Sequence, residues 1–151
     1  MHPIDLSLLP LTTKLTGTGS LSVGGVDLLT IARDFGTPVF VYDVEHLQSN
    51  MTRAREVFGD GVAYATKAFM CKSLARLAYE QGMSLDVSTA GEYYVARAAG
   101  VPASKLVLHG NNKTKQEIER AVTEGVQWIV LDSFDDINRA AAVAAELRKP
   151  V

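Results

Sequence analysis

The sequence of 151 residues predicts an α/β protein in which parallel strands alternate with helices. The first observation is a regular alternation from Val62 onward, where each short apolar run is followed by a run with helical spacing. The second is that the strand-like runs are almost continuously apolar, which is typical of parallel sheets covered by helices. Two architectures fit this pattern, a doubly wound open sheet and half of an eight-stranded β/α barrel.

Four strand–helix units can be delimited from the sequence. The strands are predicted at VAYAT (62–66), MSLDVS (83–88), KLVLH (105–109) and VQWIVLD (126–132). The helices are predicted at KSLARLAYEQG (72–82), AGEYYVARAAG (90–100), KQEIERAVTEG (115–125) and FDDINRAAAVAAELRK (134–149). Glycine ends the first three helices and Pro150 follows the fourth, as expected for helix C-termini.

Three of these helices begin with a capping pattern. Thr89 with Glu92 and Thr114 with Glu117 fit the capping box, in which the two side chains satisfy each other's backbone N–H groups. Ser133 with Asp136 is a weaker version of the same pattern. We therefore expect helix capping to be the main role of these three acidic side chains.

The first 43 residues lack this alternation and form a lead-in to it. LTGTGSLSVGG (15–25) is predicted to be extended or turning, and VDLLTIARDFG (26–36) has helical spacing with a glycine at its end. TPVFVYD (37–43) is rich in β-forming residues and predicts a strand. Asp43 can cap the helix that follows. The division is therefore a lead-in over 1–43 and a β/α portion over 44–151.

Composition excludes several classes of partner. The formal net charge is −2 and the basic residues form no cluster, so neither nucleic acid nor an anionic membrane surface is expected as a partner. The single cysteine, Cys71, allows no intrachain disulfide and fits a reducing compartment. No apolar run approaches the ~18 residues of a membrane span, and the N-terminus lacks the basic region of a signal peptide. We expect a cytoplasmic protein.

Polar residues follow each predicted strand, at the edge where parallel α/β folds bind ligands. Lys67 follows the first strand. A lysine there can extend its ammonium group to water, which position alone favours, or it can form a Schiff base with a carbonyl. Asp86 lies inside an apolar strand and needs a partner if buried. His109 is either a core histidine or a site residue, and Asp132 suits a turn or cap. No spacing of ligand residues matches a metal site.

Four segments carry a resemblance to a known family. YATKAF (64–69) resembles the YAxKA signature of the pyridoxal-phosphate enzymes with the alanine-racemase-type β/α barrel. LDVSTAGE (85–92) is similar to their D-V-x-S-x-G-E segment, although Thr89 and Ala90 depart from the usual Ser-Gly. HGNNKT (109–114) resembles an element of the diaminopimelate decarboxylases in particular, and so does GTPVFVYD (36–43). The four segments occur in the family's order and cover nearly the whole chain.

The resemblance implies a cofactor, pyridoxal 5′-phosphate, and a set of site residues. Lys67 would hold the cofactor through a Schiff base and act as the nucleophile. Ala65 would line the pyridine ring, and Asp86 and His109 would stand near the cofactor. Asn111 and Lys113 belong to the matching motif but receive no role from it, and Phe69 stands where asparagine is commoner. No metal is implied.

The activity implied by the resemblance is decarboxylation of meso-2,6-diaminopimelate to L-lysine and carbon dioxide, in a homodimer with a shared active site. Family members are longer, so the chain is expected to be the N-terminal half of the barrel, without the second half and the β-domain that the lead-in would contact. We expect little decarboxylase activity from it alone. An ornithine- or arginine-type decarboxylase, a racemase, and a noncatalytic cofactor-binding or regulatory protein remain alternatives.

Overall fold

A computed structural model describes residues 5–151, so the first four residues of the predicted lead-in lie outside the described part. The chain divides into two compact units, one that runs to Arg53 and one that comprises Ala54–Val151. Among the described residues, no helix combines the length and the apolar content needed to cross a bilayer.

The first unit contains a small antiparallel sheet and a helix. Three short strands pair in the order β1 (Lys14–Leu15), β2 (Leu21–Val23) and β3 (Val26–Asp27). Gly24 and Gly25 form the two-residue loop between β2 and β3, and both have positive φ (59° and 80°). Such loops favour glycine because a side chain strains this conformation. The segment predicted only as extended or turning is thus a β-meander.

Two helices complete the secondary structure that begins in this unit. Helix α1 (Leu28–Phe35) begins at Asp27, whose carboxylate accepts a hydrogen bond from the Leu29 N–H at 2.7 Å. The helix ends at a glycine with positive φ, as its sequence predicts. Helix α2 (Val44–Phe58) begins after Asp43, and the predicted cap is confirmed, because the Asp43 carboxylate accepts from the His46 N–H at 3.3 Å.

The prediction of a strand at residues 37–43 is wrong. This segment has no regular secondary structure and pairs with no strand in the described part of the chain. Its side chains include Phe40, which is 89% exposed. A β-rich composition forms a strand only where a neighbouring strand supplies hydrogen-bond partners, and here none is adjacent.

The second unit is built from four parallel β/α units. Its strands are β4 (Ala63–Ala65), β5 (Ser84–Val87), β6 (Leu106–Leu108) and β7 (Trp128–Ile129), and its helices are α3 (Lys72–Glu80), α4 (Ala90–Ala98), α5 (Lys115–Glu124) and α6 (Phe134–Leu147). The strands lie in the order β4-β5-β6-β7. A doubly wound sheet reverses its strand order at a switch point, whereas consecutive order is the arrangement of a β/α barrel. The barrel alternative is therefore the one observed.

The two faces of this sheet differ in burial. Leu85, Val87, Leu106 and Leu108 share one face and are at most 2% exposed. On that side Ile129 packs against a core of α5 and α6 residues, namely Ile118, Ala140 and Val143. Because side chains alternate along a strand, the opposite face carries the residues between them. The register aligns Ala65, Asp86, Val107 and Trp128 in one row across that face.

Candidate functional site

The carboxyl ends of all four strands meet at one edge of the sheet, because the strands are parallel. The polar residues predicted to follow these strands therefore reach the same rim of the second unit. Lys67 comes after β4, Asp86 lies near the end of β5, His109 follows β6 and Asp132 follows β7. The clustering expected from the sequence is present, although the function of each residue is a separate question.

Lys67 does not lie at the strand end itself. Strand β4 stops at Ala65, and Lys67 occupies a 3₁₀ turn, Thr66–Ala68. Two hydrogen bonds secure this turn: Thr66 Oγ1 donates to the Asp86 carbonyl at 2.8 Å, and Tyr64 Oη donates to the Phe69 carbonyl at 2.7 Å. Phe69 thus contributes through its backbone, whichever side chain it carries.

The Lys67 side chain is exposed, whereas Thr66 beside it is buried. The Lys67 side chain is therefore accessible within the described chain. An anchored backbone with an exposed primary amine still presents a group that a carbonyl compound can reach.

Asp86 and His109 form a pair at neighbouring strand ends. Asp86 Oδ2 lies 3.2 Å from His109 Nδ1, and the side chains are 22% and 44% exposed. The other carboxylate oxygen, Asp86 Oδ1, is buried and has no hydrogen-bond partner among the described residues. Buried polar atoms are normally satisfied, so an unpaired carboxylate oxygen beside an open face indicates a place where a ligand can donate a hydrogen bond.

Ala65 lies beside Asp86 in the register of β4 and β5, and the two side chains share the open face of the sheet. Its side chain is a single methyl group, and the residue is half-buried. The structure thus brings Ala65, Asp86 and His109 close to one another at this rim. Their contact with a cofactor stays a prediction.

A close backbone contact fixes the segment after β6. Gly110 has φ +92°, and a Cβ atom at this position would lie 3.0 Å from the Ser88 carbonyl oxygen. The preceding residue is held as well, since the His109 N–H donates to the Val87 carbonyl at 2.8 Å. The imidazole is thus attached to a backbone that lies directly against the end of β5.

The structure also contains a buried ion pair that sequence reasoning missed. Lys113 has a side chain that is 1% exposed, and its Nζ lies 2.7 Å from Oδ2 of Asp136, which is 2% exposed. Lys113 Nζ also donates to the Gly110 carbonyl. The hydrogen bond from this ammonium group is the main cause that lowers the pKa of the Asp136 carboxyl. The sequence assigned Lys113 no role, and its burial depends on the position of α6.

Asp136 therefore does not have the capping role expected of it. Ser133 does cap α6, because its hydroxyl accepts from the Asp136 N–H at 3.1 Å, but the Asp136 carboxylate faces Lys113 instead. The other two predictions are confirmed, with complete capping boxes at Thr89–Glu92 and Thr114–Glu117. Glu117 also accepts from the Ala90 N–H at 3.0 Å, which joins the starts of α5 and α4.

Comparison with known proteins gives a consistent picture. Residues 44–151 match the family described as pyridoxal-dependent decarboxylase, pyridoxal binding domain. The chain is 41% identical over 142 residues to a diaminopimelate decarboxylase of Halalkalibacterium halodurans, covering 91% of this chain and 32% of that protein. It is likewise 41% identical over 139 residues to the diaminopimelate decarboxylase of Mycobacterium tuberculosis, covering 91% and 31%.

Solved structures agree with the sequence comparison. The diaminopimelate decarboxylase of M. jannaschii, crystallised with L-lysine, superimposes with a TM-score of 0.79 at 31% identity, covering 91% of this chain and 34% of that one. The chain thus spans about a third of the length of the relatives it matches. The family match over residues 44–151 includes the rim that carries Lys67, Asp86 and His109.

Proposed function

Because the chain belongs to the pyridoxal-dependent decarboxylases through their pyridoxal-binding domain, we propose that its protein decarboxylates meso-2,6-diaminopimelate to L-lysine and carbon dioxide. The observation that carries the proposal is the rim at the carboxyl ends of the strands. There an exposed amine on an anchored turn, Lys67, accompanies a carboxylate with one unpaired oxygen, Asp86. The names of the relatives support the choice of substrate.

The residues at the rim fit pyridoxal 5′-phosphate. Lys67 offers a primary amine for the aldehyde carbon, the small Ala65 side chain lies beside Asp86 on the open face, and Asp86 Oδ1 can accept a hydrogen bond from a ligand. When bound, the cofactor supplies an electron sink for the pair released as the substrate loses its carboxylate. The fit rests on the donor and acceptor chemistry of these side chains.

Each residue has a distinct task in this proposal. Lys67 would hold the cofactor, with its Nζ as the nucleophile for the aldehyde carbon. Asp86 holds a donor group of the bound molecule through Oδ1. His109 orients that carboxylate through Oδ2 at 3.2 Å, which leaves Oδ1 for the bound molecule.

The first test is attachment of the cofactor. Incubation of the chain with pyridoxal phosphate, borohydride reduction and peptide mapping are expected to place a pyridoxyl group on Lys67. The variant K67A should lose the adduct, whereas K72A should retain it, because Lys72 is an exposed lysine at the start of α3 only five positions away. An adduct that persists in K67A at the wild-type level would contradict the assignment of Lys67.

A second test separates an enzyme from a carrier and one substrate from another. Release of carbon dioxide from meso-diaminopimelate, with ornithine, arginine and lysine as competitors, identifies a decarboxylase and its preference. Because little activity is expected from the chain alone, the assay uses the full-length protein, and cofactor attachment there without release from any of these substrates would favour the noncatalytic alternative. A homodimer with a shared active site and a location in the cytoplasm are further parts of the proposal, which sedimentation and cell fractionation can examine.

A further inference from the structure

We propose that the buried Lys113–Asp136 ion pair is a positioning device that holds the segment His109–Gly110 at the cofactor rim. The inference deepens the proposed function and rests on it, because the purpose assigned to the pair is to orient His109 beside Asp86. The polar contacts of Lys113 Nζ are with Asp136, Asp132 and the Gly110 carbonyl. The pair therefore acts on the site through the loop, as positioning residues do.

Lys113 connects the loop after β6 to α6 through both its side chain and its backbone. Its Nζ donates to the Gly110 carbonyl within the loop and pairs with Asp136 in the first turn of α6. Its backbone carbonyl accepts a hydrogen bond from Arg139, one turn further along the same helix. Asp132, at 3.7 Å from Nζ, adds a second carboxylate. The loop after β6 is thereby attached to the start of α6.

The attachment reaches the site through Gly110. The Lys113 ammonium group holds the Gly110 carbonyl on one side, and on the other the Ser88 carbonyl oxygen lies only 3.0 Å from the place a Cβ of residue 110 would take. His109 is the preceding residue in the chain, and its ring contacts Asp86. A loop fixed on both sides of one glycine restricts the adjacent imidazole, as preorganised sites require.

The burial of Lys113 and Asp136 indicates that their ion pair has a role besides stabilising the fold. Taking a lysine and an aspartate out of water is costly, and well-packed apolar residues of similar volume are often as stable. A surface lysine would leave the Gly110 carbonyl to water. An ion pair with a high desolvation cost thus lies at the loop that carries His109. No other ion pair in residues 5–151 has both side chains buried.

The experiment replaces both partners together. The single variant K113M leaves Asp136 buried without its ammonium partner, so the double variant K113M/D136L is the informative one, because it removes the pair and keeps an apolar filling. The matched control is K115M/E146L, which removes an ion pair of 2.6 Å that joins α5 to α6 and whose two side chains are about half exposed. Thermal unfolding first establishes that both variants fold.

Two readouts are compared with wild type. Amide hydrogen exchange at residues 109–112 is expected to become about tenfold faster in K113M/D136L, since the loop loses its attachment. The apparent dissociation constant for pyridoxal phosphate, read from the absorbance of the lysine adduct, is expected to rise by about tenfold because the rim is less preorganised. The control K115M/E146L should match wild type in both.

The outcomes distinguish this inference from the proposed function. Unchanged exchange at residues 109–112 in a folded K113M/D136L overturns the inference. Faster exchange with unchanged cofactor affinity overturns it as well. The ion pair would then fix the loop without contributing to cofactor binding. If the wild type takes up no cofactor, the proposed function fails and the positioning role fails with it, whereas the exchange rates still show whether the attachment exists.

Discussion

At the scale of single residues, two lysines show how differently one residue type is used. Lys67 is exposed on a turn secured by Thr66 and Tyr64, whereas Lys113 is among the largest fully buried side chains. Both occur in motifs that resemble the same family, so the motifs could identify the two lysines but not their surroundings. The environment of each lysine follows from elements distant in sequence, β5 for Lys67 and α6 for Lys113.

A prediction at this scale concerns Gly110. The variant G110A should lower the free energy of unfolding by about 1–3 kcal/mol, because alanine is strained at positive φ and its Cβ would meet the Ser88 carbonyl. The control G61A lies at a glycine without positive φ, where an added Cβ would meet no heavy atom within 4 Å, and should stay within about 1 kcal/mol of wild type. Urea unfolding measures both, and equal effects would contradict the prediction.

At the scale of elements, the second unit depends on how its helices begin. Capping boxes start α4 and α5, a serine cap starts α6, and Glu117 links the starts of two helices. All of these helix starts lie on the rim side of the sheet, since each follows the carboxyl end of a strand. The same polar contacts that stabilise the helices therefore also shape the rim where the candidate site lies.

The cap of α5 allows a matched comparison within one helix. T114A should lower the free energy of unfolding by about 1 kcal/mol, because the Glu117 N–H loses its acceptor. T123A makes the same chemical change at an exposed position near the end of the helix, where alanine is the better helix former, and should not destabilise. A destabilisation by T123A as large as that by T114A would argue against the cap as the cause.

The start of α6 has a pH-dependent contribution. Lys113 is the main cause that lowers the pKa of Asp136 below its ordinary value of 3.8, and Asp132 and Arg139 also face this carboxyl. The stabilisation is therefore present above pH 3.8 and is lost as the pH falls through the lower pKa of the folded state. Between pH 3.8 and that lower pKa, the unfolding free energy of wild type should decrease more steeply with falling pH than that of K113M/D136L. Parallel pH curves in urea titrations would refute this.

At the scale of the whole molecule, the four-stranded sheet is open. Strands β4 and β7 each pair on one side only within the described chain, and the face opposite the helices carries Trp128, which is 66% exposed. An unpaired strand edge with an exposed aromatic residue is a surface to which other chains can add. The open face also leaves the row from Ala65 to Trp128 accessible to ligands.

We expect the chain to associate with increasing concentration. Sedimentation velocity should show a rising average mass for wild type and a smaller rise for W128K, because a charged side chain opposes pairing at the β7 edge. F134K is the control, since Phe134 is 85% exposed but lies on α6 and not on the sheet. A wild-type chain that stays monomeric at high concentration, or an equal effect of both variants, would contradict this expectation.

Much of the fold could be predicted from the sequence because it depends on neighbouring residues. Alternating β/α units, glycine helix ends and two capping boxes depend on contacts within a few positions, and the family motifs on local residue order. The pairing of Asp86 with a partner was anticipated from a carboxylate in an apolar strand, although the sequence did not identify His109 as that partner.

The remaining features were decided by tertiary structure. The consecutive strand order distinguished the barrel arrangement from a doubly wound sheet. Residues 37–43 form no strand because no strand pairs with them in the described part of the chain. Asp136, expected to cap α6, is instead the partner of Lys113. Each depends on which elements become neighbours in space. Local propensity and motif order set the elements along the chain, whereas hydrogen-bond partners and burial exist only once those elements have packed together.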